Sequence, residues 1–363
     1  MKQSEKKYKR IVVKIGSSLL YSANKVWDDS FVYDIAHRQI ASLVKEGNEV
    51  IVVSSGAIAF GMRTLGLKER PRKLEDLQAT AAIGQNKLMD GYRGFFGKGY
   101  FSAQILLTNE DFANRKRYLN ARNTLQALLK KQKHCLQHIV PIINENDTIS
   151  TDEIKFGDND RLSALVSSLI SADLLIILSD VDGLLDKDKK VIPVVDEINS
   201  QIKALACPTD KKICVGGMIT KIEAAKICMD SGIPCVIANG RTKDIILSVI
   251  KEPEKYGTLF SPKKGLAARE RWIAFGTKAK GSITVDDGAK KALMNKKSLL
   301  AVGILATHGV FESADIVSVA DKENCEFARG KVNLSSRHLD KVKGTRHDRE
   351  VIHRDNIVIL QEK

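Results

Sequence analysis

The chain has 363 residues, of which 43% are hydrophobic and 28% charged, and its formal net charge is +14. Such a length admits one large α/β domain plus a small module, and a composition this near the globular mean excludes a disordered or fibrous chain. The basic excess is dispersed, with 18 Lys and Arg against 13 Asp and Glu in residues 266–363 and 40 against 31 before them, so it marks no single polyanion-binding patch.

At the N-terminus Lys2, Lys6, Lys7, Lys9 and Arg10 lead into the strand-like Ile11–Ile15 without the apolar stretch of a signal peptide. A helical pattern over Phe31–Val44, stopped at Gly47, is followed by a strand at Val50–Val53 and a helix at Gly56–Leu65. The βαβ rhythm continues with Phe101–Leu107, a helix at Tyr118–Lys131, a strand at Ile139–Ile143, a helix at Asp160–Ile170, and a strand at Leu174–Leu178. A helix at Met218–Met229 and a strand at Cys235–Ala238 complete it. This order predicts a mainly parallel sheet with helices on both faces. Asp186–Lys190 reads as an exposed hairpin turn. No apolar run nears the roughly 18 residues of a membrane span. The six cysteines form no Cys-x-x-Cys pair, which argues against a zinc ribbon or a redox motif and points to a cytoplasmic protein with reduced thiols.

After Gly257–Phe260 the Ser261–Gly265 stretch has linker character. Short β-rich runs follow at Trp272–Phe275, Ser282–Val285, Leu299–Leu305, Asp315–Val319, Cys325–Val332 and Ile357–Leu360, around one helix at Gly288–Asn295. The expected division is residues 1–262, a linker at 263–270, and a small barrel-like β module at 271–363.

The chemistry concentrates at strand ends. Asn144-Glu145-Asn146-Asp147 and Phe156-Gly157-Asp158-Asn159-Asp160 crowd amides and carboxylates between a strand and a helix, where open α/β sheets bind ligands. Three glycine loops, Lys14–Ser18, Ser54–Ala57 and Gly216–Lys221, place small residues before a helix, whose first free N–H groups attract phosphate or carboxylate. Any one of them could be an ordinary tight turn; two of the three carry a lysine. Neither a Walker loop nor a Gly-x-Gly-x-x-Gly loop occurs, so the phosphate site must be of another type. The spacing His134-x-x-x-His138 brings two imidazoles to one helix face without a third ligand, and reads as a solvent-facing pair.

Taken in order, Val13–Ser18, Val53–Ile58, Tyr118–Thr124, Asn144–Asp147, Phe156–Asp160, Ser179–Leu184, Gly216–Lys221 and Gly257–Phe260 make the chain resemble the bacterial glutamate 5-kinases of the amino acid kinase family over nearly its whole length. The C-terminal module is similar to the PUA domain that many of them carry. The resemblance implies a three-layer α/β/α sandwich with a mainly parallel sheet, joined to a small β-rich PUA-like domain. It implies ATP-dependent phosphorylation of the γ-carboxylate of L-glutamate, opening proline biosynthesis, with Mg²⁺ held mainly by the ATP phosphates. Lys14 and Lys221 would then contact the phosphates, Asp160 would orient both lysines, and Gly16 and Gly56 would offer backbone N–H groups. Ser54, Gly56, Asp147, Asp158 and Asn159 match substrate-binding positions. Lys14, Gly16, Ser179, Asp180 and the run Val215, Gly216, Gly217, Met218, Ile219, Thr220 and Lys221 match nucleotide-binding ones.

Two departures stand out: Val215 replaces a residue that is commonly hydroxylated, and Lys130–His138 looks like a surface insertion. The resemblance also brings feedback inhibition by proline, a dimer or tetramer, and glutamyl-phosphate reductase as a partner. Rival expectations are a kinase of the same fold acting on aspartate, N-acetylglutamate, carbamate or a nucleoside monophosphate, and an RNA-binding protein using Lys290, Lys291, Lys296 and Lys297 of the PUA-like module.

Overall fold

Continuous runs of β-branched and leucine side chains dictate how the first sheet is covered. A computed structural model describes residues 8–20, 28–134, 138–150, 158–206, 217–263, 265–276 and 279–360. Eight strands form one sheet: β1 (Arg10–Ile15), β2 (Glu49–Ser54), β3 (Tyr100–Leu107), β4 (His138–Glu145), β5 (Leu174–Ser179), β6 (Val194–Val195), β7 (Cys235–Asn239) and β8 (Thr258–Phe260), in the spatial order β3-β4-β2-β1-β5-β7-β8-β6. All neighbours pair in parallel except β7 and β8, which are antiparallel.

Because successive side chains of a strand point to opposite faces, Ile11, Val13 and Ile15 enter one core together with Val50, Val52, Leu174, Ile176 and helix residues Phe31, Ile35, Leu88, Tyr92 and Phe96. The alternate set, Val12, Ile51, Val53, Leu175 and Ile177, is equally buried on the other face. There the helices Asp158–Ile170 and Met218–Asp230 pack on the strands and on each other. The result is helix, sheet, helix in three layers. Lys14 belongs to the second set, so the pleat alone aims it at those two helices.

Parallel pairing has a second consequence. The carboxyl ends of β1, β2, β4 and β5 all open on one edge, which brings the turns after Ile15, Ser54, Glu145 and Ser179 together.

The chain divides into two compact units, Met1–Asp111 with Lys116–Gly265, and Phe112–Arg115 with Leu266–Lys363. The second unit therefore includes four residues that no linker signal announces: the Trp272 indole donates to the Phe112 carbonyl at 3.0 Å, and the Arg115 guanidinium lies 5.2 Å from the Trp272 ring centre. Its sheet has the order β10-β9-β11-β12-β13, where β9 is Gly281–Val285, β10 Ile304–Gly309, β11 Ile316–Ala320, β12 Glu326–Lys331 and β13 Ile357–Ile359. Ile283, Val285, Phe311, Val317, Phe327, Leu339 and Val351 fill its core.

Several expectations need correction. Trp272–Phe275 is the end of a helix, Ala268–Phe275, rather than a strand. Its Ile273 and Ala274 are buried with Ile316 and Val358, and so short an apolar run has no period that separates helix from strand. A further helix, Ser336–Val342, accompanies the expected one, which spans Asp287–Met294. The helix expected at Phe31–Val44 is interrupted by a π-helical stretch, Asp34–Ile40, whose Gln39 side chain turns inward to accept from the Ile246 amide at 2.9 Å. The longest helix, Leu74–Phe96, falls where no element is expected, since Gly84, Gly91 and Gly94 dilute its pattern. His134 and residues 135–137 of the expected insertion lie outside what is described at side-chain level, so the His134–His138 pair cannot be placed.

Two of these glycines differ in kind. A Cβ at Gly84 would lie 1.8 Å from the Ala57 carbonyl, and one at Gly61 1.8 Å from the Thr80 carbonyl, so the helices Ala57–Thr64 and Leu74–Phe96 touch backbone to backbone. A Cβ at Gly94 meets nothing within 4 Å. Gly84→Ala should force the helices apart and lower unfolding free energy by about 1–3 kcal/mol, whereas Gly94→Ala should raise it by about 0.5–1 kcal/mol. Urea denaturation of the two variants checks this, and equal effects would contradict the packing.

Candidate active site

Lys14, Asp160 and Lys221 come from three distant stretches of sequence and meet at one carboxylate. Lys14 Nζ stands 2.6 Å from Asp160 Oδ1, and Lys221 Nζ 3.3 Å from Oδ2. The first contact is a short, charge-assisted ion pair. Thr220 completes the group by donating its hydroxyl to Oδ2 at 2.8 Å, and Lys221 also donates to the Gly217 carbonyl at 3.2 Å. Gly217, at φ +81, takes the left-handed turn that starts the Met218–Asp230 helix and brings Thr220 and Lys221 inward.

All three charged groups are nearly water-free, with relative exposures of 5% for Lys14, 1% for Asp160 and 9% for Lys221. Burial works to raise the Asp160 carboxyl, but the charges of Lys14 and Lys221 and the Thr220 hydroxyl together hold it below its ordinary range. Burial lowers the Lys14 ammonium; Asp160 opposes that shift and the neighbouring Lys221 adds to it. Two cations on one anion leave a local positive charge that favours an anion at this point of the wall, while Glu145, Asp147 and Asp180 line the same cleft.

The group forms part of the wall of a cleft of about 250 Å³. Gly16, Ser55, Gly56, Ala57, Asn144, Asp147, Asn159, Ser179 and Asp180 line it as well. Gly56, at φ +109, precedes the Ala57–Thr64 helix, so the unpaired amides of that helix's first turn open onto the cleft.

Gly16 behaves otherwise than expected. Its N–H donates to the Leu178 carbonyl at 3.1 Å and is not available to a ligand; a Cβ there would come within 3.2 Å of the same carbonyl, so the glycine permits close approach to β5. Ser54 also differs: it is fully buried, its hydroxyl is 2.9 Å from the Tyr92 hydroxyl, and it does not line the cleft, where Ser55 takes its place. The strand's period of two decides this, because a one-residue shift exchanges core for cleft. Burial pushes the Tyr92 phenol far above its ordinary range, so it serves as a neutral hydroxyl under the floor.

Asn159 donates through Nδ2 to Ser55 Oγ and Asn144 Oδ1, both at 3.0 Å, and Asn144 donates in turn to Gln85 Oε1 at 2.8 Å. What Asn159 retains for a ligand is an acceptor, since its Oδ1 is buried without a hydrogen-bond partner among the described residues. Ser179 donates to Asp180 at 3.1 Å at the mouth of β5. Met218, Ile219 and Thr220 form the first turn of their helix. Val215 and Gly216 lie outside the described residues, as does the side chain of Asp158. Sequence reasoning missed Gln85, Tyr92 and Arg70; only the last lines the cleft, and no motif signals any of them.

Residues 9–239 match the amino acid kinase family, and residues 281–354 match the PUA domain. A glutamate 5-kinase of Caldanaerobacter subterraneus subsp. tengcongensis is 48% identical over 97% of this chain and 98% of its own length. The chain belongs to the amino acid kinase family. A second glutamate 5-kinase, from Thermoanaerobacter sp. (strain X514), is 46% identical with the same coverage, and one from Citrifermentans bemidjiense is 43% identical over 99% of this chain and all of its own length. No described helix is long and apolar enough to cross a membrane.

Replacing Asp160 by Asn removes the carboxylate that two buried ammonium groups share, and the ligand-free protein should lose about 3–5 kcal/mol of unfolding free energy. Urea titration reads this; a loss below about 1 kcal/mol would show that the lysines are not held by this carboxylate. An anion seated on Lys14 favours its charged form, so binding should take up protons as pH rises through the lowered Lys14 value, and affinity should fall over the same window. Calorimetry with sulfate, which does not titrate in this range, in buffers of different ionisation enthalpy gives the sign, and proton release would contradict it.

Proposed function

We propose that the protein transfers the γ-phosphoryl group of ATP to the γ-carboxylate of L-glutamate, giving glutamyl 5-phosphate and ADP, the opening step of proline biosynthesis. The observation that carries this is the clasp of Lys14 and Lys221 on one buried Asp160 at the wall of a cleft that also holds Asp147 and Asn159. Family membership and full-length similarity to three glutamate 5-kinases support it.

A side-chain carboxylate with a pKa of about 4.3 is ionised at neutral pH and attacks phosphorus without a general base. What it lacks is relief from repulsion by the triphosphate. Lys14 and Lys221 supply positive charge held by Asp160, so little reorganisation is needed as charge moves from the carboxylate oxygen to the leaving ADP oxygen. The first turn after Gly56 adds amide donors, and Ser179, Asp180 and the Gly217–Lys221 turn form the nucleotide side. At the acceptor side Asp147 and the Asn159 carbonyl oxygen would receive the α-ammonium group, which selects a free amino acid over an N-acylated one. Among the described residues no three His, Cys, Asp or Glu side chains converge on a metal position. Magnesium would accompany the nucleotide phosphates here.

A nucleic-acid reading of the second unit is less favoured. Lys290 is engaged by Asp321 at 2.7 Å and Lys322 by Asp287 at 2.6 Å, so part of its basic surface is already neutralised.

With ATP, Mg²⁺, L-glutamate and hydroxylamine the protein should form glutamyl hydroxamate; a signal only with another acceptor acid would overturn the substrate assignment. Lys221→Ala should lower kcat at least a hundredfold with little change in KM for glutamate, and unchanged turnover would remove it from the transfer step. Asp147→Asn should raise that KM at least tenfold, and a KM within twofold of the original would count against its role.

A further inference from the structure

Arg70 lines the same cleft as Asp147, Asn159 and the lysine clasp, and no motif of the family resemblance includes it. It sits in the connection between the helices Ala57–Thr64 and Leu74–Phe96, the pair that touches backbone to backbone at Gly61 and Gly84. Both ends of that connection are thus anchored, and Pro71 restricts the residue before it to extended backbone. Arg70 is half-buried; burial draws its guanidinium below the ordinary value, and the charge of Asp147 acts against that shift. The two opposite charges share an environment.

The cleft therefore carries two arrangements of charge. Lys14, Asp160 and Lys221 sum to one positive charge and Arg70 with Asp147 to zero, while Glu145 and Asp180 add two further carboxylates to the lining. An α-amino acid with an acidic side chain has the complementary pattern: one net negative charge at the side-chain carboxylate and a neutral zwitterion at the other end. We infer that Arg70 binds the α-carboxylate of the amino-acid substrate while Asp147 binds its α-ammonium group, so the pair reads the zwitterionic end and sets the γ-carboxylate toward the lysines. This rests on the acceptor proposed above and adds the residue that distinguishes an α-amino acid from an amine or amide of the same length. A guanidinium matches a carboxylate in a planar, two-point contact that an ammonium cannot reproduce. The other duty open to an arginine here is charge relief at the transferring phosphoryl group. The charge of Asp147, on the acceptor side, acts on Arg70, which favours the substrate role.

The test compares L-glutamate with its α-amide, which keeps the γ-carboxylate and α-ammonium group but carries no α-carboxylate charge. Dissociation constants of both are measured by calorimetry for the unsubstituted protein, Arg70→Ala and Arg70→Lys. Arg70→Ala should weaken glutamate at least tenfold and leave the α-amide within twofold, and Arg70→Lys should recover part of the loss. Unchanged glutamate affinity, or equal weakening of both ligands, overturns the inference; the second result would make Arg70 a support of its loop. Hydroxamate formation by the same preparations is read separately. A protein that shows the expected binding pattern but forms no hydroxamate contradicts the kinase reading alone, and a working kinase indifferent to Arg70 contradicts this inference alone.

Discussion

Two ammonium groups cannot share a dry pocket unless an anion lies between them, and Asp160 is that anion. Each partner arrives by a different structural route. Lys14 is aimed by the pleat of β1, Asp160 enters at the first turn of the Asp158–Ile170 helix, and Lys221 enters at the first turn of the helix that Gly217 starts. The parallel sheet and its two covering helices must be in place before these charges can meet. Once they meet, the carboxylate cancels one charge of two, which permits burial and still leaves attraction for a phosphate.

The rest of the cleft follows from this anchor. Its floor is a chain of neutral hydrogen bonds, from Gln85 through Asn144 and Asn159 to Ser55, with Ser54 and Tyr92 paired beneath. Such a floor fixes positions without adding charge, so the electrostatics are set by the lysine clasp, by Arg70 with Asp147, and by the carboxylates of Glu145 and Asp180. Rigidity is supplied from behind, where Gly61 and Gly84 let two helices approach until only backbone separates them.

The parallel sheet was legible because β1, β2, β4 and β5 are continuous apolar runs, as strands covered on both faces must be, and the convergence of Lys14 and Lys221 followed from their shared edge. The Leu74–Phe96 helix escaped reading because its glycines serve packing against a neighbour, a reason that exists only in three dimensions. Trp272–Phe275 failed for the opposite reason, a short apolar run that suits helix or strand equally. Among site residues, Gly16 looked like an amide donor by its place in a loop, yet that amide is used by β5. Ser54 and Ser55 are adjacent hydroxyls, and only the end of the strand decides which faces the cleft. Arg70 stood outside every motif because its relevance comes from where a connection is anchored.

In the proposed reaction a carboxylate oxygen of glutamate attacks phosphorus within this cleft. Glutamate labelled with ¹⁸O in its γ-carboxylate, turned over with ATP and trapped by hydroxylamine, tests it most directly by mass analysis of the released phosphate. Attack by the carboxylate makes a labelled oxygen the bridge, and hydroxylamine expels it with phosphorus, so the phosphate should carry one ¹⁸O atom. Unlabelled phosphate would show that water, not glutamate, takes the phosphoryl group, and would contradict the account.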